Sequence, residues 1–192
     1  MKRVNIGYFE VIAGPMYCGK TEELIRQVKR AVIAKKRVQV FKHAIDTRYG
    51  KERKVFSHAG VSFQSELITK PGDILKYLKP RTEIVAIDEA QWFGSGLVPV
   101  VQKLLDMRKH VVLAGLPLTY DRKPFIPMPT LMAMADKVTK LSAICTMCGK
   151  EAIYHKRITN HQKIDPLEPD PKLVGRLEAY EARCRNCFGK KP

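Results

Sequence analysis

Short apolar runs recur along the first part of the chain, each closing on a polar residue or glycine: FEVIA at 9–13, RVQVF at 37–41, EIVAIDEAQWF from Glu83 and HVVLAGL from His110. Their near-continuous apolar, β-branched character predicts strands buried on both faces. Between the first two lies TEELIRQVKRAVIAKK, in which Leu24, Ile25, Val28, Ala31 and Val32 fall on one stripe. That spacing predicts an amphipathic helix, with Glu22 and Glu23 in its first turn and Lys35 and Lys36 in its last, as the helix dipole favours. PGDILKYL, opened by Pro71, and GLVPVVQKLLDMRK, with Pro99 near its start, predict two further helices. The stretch from Lys42 to Ser57 is polar and irregular and reads as a long loop. Strands and helices alternating in this order predict an α/β fold, a parallel sheet flanked by helices on both faces. In such sheets ligands bind at the carboxyl ends of the strands, here Gly14, Asp88, Glu89 and Gly115.

The pattern changes near Leu141. ICTMCGKEAIYHKRI and LVGRLEAYEARCRNCF carry paired cysteines on short alternating strands, and TNHQKIDPLEPDPKL between them has the proline-rich, charged composition of an exposed loop. Two domains are therefore expected, an α/β domain over residues 1–141 and a small β domain over residues 142–192. At 192 residues and 45% hydrophobic content the chain can bury one medium core and a small appendage. No run reaches the roughly 18 apolar residues of a membrane span. The apolar stretch behind the two leading positive charges runs straight into a glycine turn and reads as a strand, not an export signal, so a cytoplasmic location is expected. The net charge of +16 attracts polyanions, but the basic residues are scattered and form no long block.

Candidate chemistry begins with GPMYCGKT. Gly14, Pro15, Met16, Tyr17, Cys18, Gly19, Lys20 and Thr21 match the full phosphate-loop pattern, with a strand before and a helix after. Backbone N–H groups of such a turn converge on nucleotide phosphates, Lys20 adds a charge at the terminal phosphates, and the Thr21 hydroxyl is a Mg²⁺ ligand. In IVAIDEAQ, Asp88 ends an apolar strand, where an acid can hold Mg²⁺ opposite the loop, and Glu89 beside it can accept a proton from an attacking hydroxyl. The same acidic box occurs in nucleic-acid helicases. Those motors need two such α/β domains, so the rival reading is a single-domain nucleic-acid-dependent ATPase with a zinc ribbon.

Four of the five cysteines form two pairs, Cys145/Cys148 and Cys184/Cys187, and Cys18 stands alone in the phosphate loop. An odd count without an export signal argues against a disulfide framework. Two CxxC pairs suit one closed four-thiolate Zn²⁺ site, structural because no position is left open. His155 and His161 are read as non-ligands, since four sulfurs complete the shell.

GPMYCGKT, DTRYG, IDEAQWF, LTYDRKPF and YEARCRNC occur in the order and spacing of the type II, zinc-containing thymidine kinases, and the chain resembles that family over nearly its whole length. The resemblance implies ATP as phosphate donor, the 5′-hydroxyl of thymidine as acceptor, Mg²⁺ at Thr21 and Asp88, Glu89 as base, and no obligate nucleic acid or membrane partner. It implies that Arg48, preceded by Asp46, lies near the transferring phosphoryl group. Met16, Trp92, Leu116, Tyr120, Phe125 and Tyr180 match positions lining the nucleoside pocket. It implies also a lasso-like loop between the cysteine pairs, closing over the base, and a homotetramer. Three positions depart from the family pattern: Pro117 where Asp is common, His155 where Thr or Ser is common, and Arg176 after Gly175 where a second glycine is common. Trp92 replaces a usual phenylalanine. The last two of the three bear on base selectivity more than on phosphoryl transfer.

Overall fold

The computed structural model describes residues 7–45, 54–56, 62–158 and 180–190. In chain order the elements are β1 (Tyr8–Ala13), α1 (Lys20–Ile33), β2 (Val38–His43), β3 (Lys54–Phe56), β4 (Ser62–Gln64), β5 (Glu66–Ile68), α2 (Asp73–Tyr77) and β6 (Ile84–Asp88). A 3₁₀ turn at Ala90–Phe93 is followed by α3 (Leu97–Asp106), β7 (His110–Gly115), α4 (Met128–Met134) and β8 (Lys137–Lys140). The chain then forms β9 (Ala143–Ile144), β10 (Glu151–Ala152), β11 (Tyr154–Arg157) and β12 (Tyr180–Arg183).

Six strands form one sheet in the order β5-β2-β6-β7-β1-β8, and every pairing in it is parallel. The expected α/β architecture is present. Side-chain alternation divides the core into two. Phe9, Val11, Ala13, Val85, Ile87, Val111 and Leu113 face α2, α3 and α4, which contribute Ile74, Leu97, Val101, Leu104, Met128 and Leu131. Ile12, Val40, Ala86, Val112 and Ala114 face Leu24, Ile25 and Val28 of α1. Strands apolar on both sides therefore carry helices on both sides. The outermost strand β8 displays Lys137 and Lys140 towards water, charges that discourage pairing with another sheet edge.

The pattern missed several elements. β3 and β4 pair antiparallel, and β3 lies within the stretch expected to be loop. β5, α4 and β8 join the sheet or its covering layer without a strong periodic signal of their own. Val32, expected on the buried stripe, is exposed. The reason is local: α1 ends at Ile33, Lys35 takes a left-handed conformation at φ 58°, and the Lys36 N–H closes back on the Ala31 carbonyl at 3.0 Å. The last turn thus lies past the sheet, and Lys35 and Lys36 lie past the helix. The strand expected to close on Asp88 does end there, and the chain beyond it winds into the 3₁₀ turn.

β6, β7 and β1 are adjacent, so the turns that follow Asp88, Gly115 and Ala13 open on the same edge of the sheet. That edge is built on the fully buried middle of β7. Leu113→Ala removes a side chain with no solvent exposure and is expected to lower unfolding stability by about 2–5 kcal/mol, measured by denaturant titration.

Candidate active site

The phosphate loop is tight because its glycines permit it. A Cβ on Gly14 would sit 2.5 Å from Cys18 Sγ and 2.7 Å from the Leu141 carbonyl oxygen. Gly19 is left-handed at φ 81° and forms the N-cap of α1, so the first free N–H groups of the helix face the loop interior. The Lys20 ammonium curls over the loop and donates to the Pro15 carbonyl at 2.6 Å. Burial pushes the Cys18 thiol up and outweighs the opposing pull of Lys20, so Cys18 is a protonated packing group, not a thiolate.

Opposite the loop, Asp88 and Glu89 are both buried. The Thr21 hydroxyl lies 3.3 and 3.4 Å from the two Asp88 carboxylate oxygens, across 67 residues of sequence. Asp88 Oδ1 also accepts the Glu89 backbone N–H at 3.0 Å. Glu89 is left-handed at φ 53°, a conformation that costs a non-glycine residue of order 1–3 kcal/mol and clusters at functional sites. It breaks strand alternation, so the two neighbouring carboxylates need not point to opposite faces of the sheet. Gln91 holds the result in place. Its amide N–H donates to Glu89 Oε2 at 2.5 Å, while its Oε1 accepts the Leu116 N–H at 3.0 Å. One side chain thus ties the end of β6 to the end of β7. Gly115 leaves room for it, since a Cβ there would come within 2.9 Å of Gln91 Oε1.

Aromatic groups surround this edge. Trp92 and Phe125 meet edge to face with centroids 5.2 Å apart, Tyr120 lies 6.4 Å from Tyr180, and Leu116, next after Gly115, is buried. Met16 is half-buried within the phosphate loop. The Tyr17 hydroxyl donates to the Tyr180 carbonyl at 2.9 Å, joining the loop to β12. His155, edge-on to Tyr180 at 5.9 Å, is held down to a pKa of about 3 by burial and then by the charge of Lys20, so it is neutral at any physiological pH. Pro117, the first departure, accepts the Phe125 N–H at 3.0 Å through its carbonyl. Asp46, Arg48, Gly175, Arg176 and the expected lasso loop lie outside the described residues.

The cysteine pairs converge as spaced. The sulfurs of Cys145, Cys148, Cys184 and Cys187 all lie within 4.8 Å of one another, and Cys148 and Cys184 are 3.7 Å apart. A tetrahedral zinc at about 2.3 Å from each sulfur separates neighbouring sulfurs by about 3.8 Å, so the donor set and spacing are compatible with a structural zinc site. Each pair sits on a tight turn. Gly149, at φ 71°, donates to the Cys145 carbonyl at 2.9 Å, and the Phe188 N–H donates to the Cys184 carbonyl at 3.1 Å. Burial acts to raise the Cys145 thiol, but backbone N–H groups around it prevail and bring it to about 6. Burial and the neighbouring thiols push Cys187 up to about 12. The protons of the ligand-free cluster are therefore shared unequally, which a cation would resolve in favour of thiolates. Arg183, almost fully buried, pairs with Glu181 and donates to the Cys187 carbonyl at 3.4 Å, bracing the second turn.

Compared with known families, residues 7–188 match the family described as thymidine kinase. The chain belongs to the thymidine kinase family. The match spans most of the chain and both cysteine pairs, so it covers the sheet, the phosphate loop and the sulfur cluster together. The protein is a kinase that phosphorylates thymidine. Two residues that brace these turns were not singled out by sequence reasoning: Gln91 and Arg183. Gln91 stands inside IDEAQWF, where a polar residue two places beyond a candidate base was the available signal. Arg183 stands inside YEARCRNC, directly before the second cysteine pair, where a basic residue beside a CxxC turn was the available signal.

Gln91→Leu keeps the side-chain bulk and removes both hydrogen bonds. It is expected to lower thymidine kinase kcat about tenfold or more while the KM for the phosphate donor stays near wild type, as steady-state kinetics would measure. Unchanged kcat would show that Glu89 is positioned without it.

Proposed function

We propose that the protein transfers the γ-phosphoryl group of ATP to the 5′-hydroxyl of thymidine, with the carboxyl edge of the sheet as its active site. The observation that carries this reading is the Thr21–Asp88 contact at 3.3 Å with Glu89 next in sequence, because it sets metal-ligating oxygens and a proton acceptor against a phosphate cradle. Residues Gly14 to Thr21 bind the donor phosphates through backbone N–H groups and Lys20. Thr21 and Asp88 would hold Mg²⁺, whose charge offsets that of the phosphates. Glu89 takes the proton from the 5′-hydroxyl, and the freed oxygen forms a bond to the γ-phosphorus as the bond to the bridging oxygen of ADP breaks. Arg48 is assigned to the negative charge on the moving group. Trp92, Phe125, Leu116, Met16, Tyr120 and Tyr180 form the nucleoside wall, suited to a flat pyrimidine with a 5-methyl group.

In the same reading Cys145, Cys148, Cys184 and Cys187 hold one structural Zn²⁺ that organises a domain over residues 142–192, distinct from the nucleotide-binding domain over 1–141. The protein acts in the cytoplasm as a homotetramer. Among the described residues no helix is long and apolar enough to cross a membrane.

Glu89→Gln replaces a proton acceptor by an amide of equal size. Turnover is expected to fall about 10²–10⁴-fold with ATP affinity retained, read by coupled assay and by direct ATP titration. Wild-type turnover in this variant would remove Glu89 from the chemistry.

Cys184→Ser removes one sulfur and is expected to release the zinc, weaken thymidine binding and spare ATP binding, because the α/β sheet has its own core. Metal analysis with separate thymidine and ATP titrations decides it. A variant without zinc that binds thymidine as tightly as wild type would sever the metal from the nucleoside site.

A further inference from the structure

Arg157 ends β11 with a guanidinium that the reaction as assigned above does not use. Its Nε and Nη2 are buried and, among the described residues, meet no hydrogen-bond acceptor, and the group lies 5.7 Å from the Tyr120 ring centroid. Dry, unpaired donors on a charged group are costly, so a partner that completes them is worth much more than one met in water. The chemistry of that partner is narrow. Nε and Nη2 share one edge of a planar group, and their N–H bonds run parallel, a fork that matches two oxygens of one phosphate or carboxylate. A lone carbonyl satisfies one arm.

The position of the fork indicates which oxyanion it meets. Across the β11–β12 ribbon Arg157 is registered against Tyr180, whose carbonyl is bound by Tyr17 of the phosphate loop at 2.9 Å. His155, two residues earlier and on the same side of the strand, feels the charge of Lys20. Arg157 therefore stands beside the two tyrosines of the nucleoside wall, on a strand within electrostatic reach of the phosphate-loop lysine. We propose that Arg157 is an oxyanion-binding residue of the acceptor side, its Nε–Nη2 fork taking two non-bridging oxygens of the phosphate on the nucleoside 5′ carbon. The proposal rests on the thymidine kinase reading. It makes the site discriminate between nucleoside and nucleoside monophosphate by a second cation, separate from the donor-side Lys20. The kinase would then hold its own product more tightly than an apolar pocket alone can.

The test uses the full-length, zinc-loaded protein and isothermal titration with two probes, thymidine and thymidine 5′-monophosphate. Wild type is compared with Arg157→Gln, which loses charge and fork, and Arg157→Lys, which keeps the charge and loses the fork. Monophosphate affinity is expected to fall about 10- to 100-fold in both, the range for losing hydrogen bonds to a charged group, with thymidine affinity within about twofold of wild type. Equal losses for both probes, or no loss for either, overturn the proposal. If the fork instead serves a carboxylate of the chain itself, thermal stability of the ligand-free variants drops while the ratio of the two affinities stays unchanged, which also overturns it. Should Arg157→Gln fail to fold, Arg157→Lys decides alone. A wild-type protein that binds neither probe refutes the kinase reading, whereas one that binds both while the ratio is insensitive to Arg157 refutes this proposal only.

Discussion

Two adjacent carboxylates, Asp88 and Glu89, are held out of water at the end of a central strand, and removing two like charges from water is expensive unless each is met by donors. Much of the site can be understood as the answer to that cost. The Thr21 hydroxyl and the Glu89 backbone N–H meet Asp88, the Gln91 amide meets Glu89, and the positive end of α1 with Lys20 lies across from both. The left-handed Glu89 breaks the alternation by which a regular strand would send the two side chains to opposite faces. The same concentration of negative charge suits the place to a divalent cation between it and the phosphates.

The sulfur cluster is packed against the phosphate loop. Ala143, Cys145, Ala152, Ala182, Cys184 and Cys187 make a very small core, too small to fix β9 to β12 without a further constraint. Cys18 of the phosphate loop packs against that core, and Tyr17 is bonded to Tyr180 of β12. Whatever orders the four sulfurs therefore also orders Tyr180, His155 and Arg157 relative to the phosphate loop. Neutral His155 fits this role, since burial and the charge of Lys20 both disfavour an imidazolium there.

The motifs were legible because each is local in sequence. A phosphate loop is eight consecutive residues, a CxxC turn is four, and the acidic strand end follows directly from an apolar run, so residue type and spacing carry their chemistry. The α/β class followed from alternating apolar runs for the same reason. What escaped was everything without its own periodicity. β5 and β8 exist because β2 and β1 offer them unpaired edges, and α4 because the sheet beside β1 needs covering. Val32 was misjudged because a stripe says which residues share a face, not how far the sheet beneath them extends.

The sequence by itself determined the class of fold, the phosphate-loop pattern, the paired cysteines and the family, all of which rest on neighbours along the chain. Only the tertiary structure decided that Gln91 spans from Glu89 to Leu116, that Thr21 faces Asp88 across 67 residues, and that two buried donors of Arg157 meet no acceptor among the described residues. These are pairings between distant segments. Their energy depends on burial and direction, and neither is encoded in any single stretch of residues.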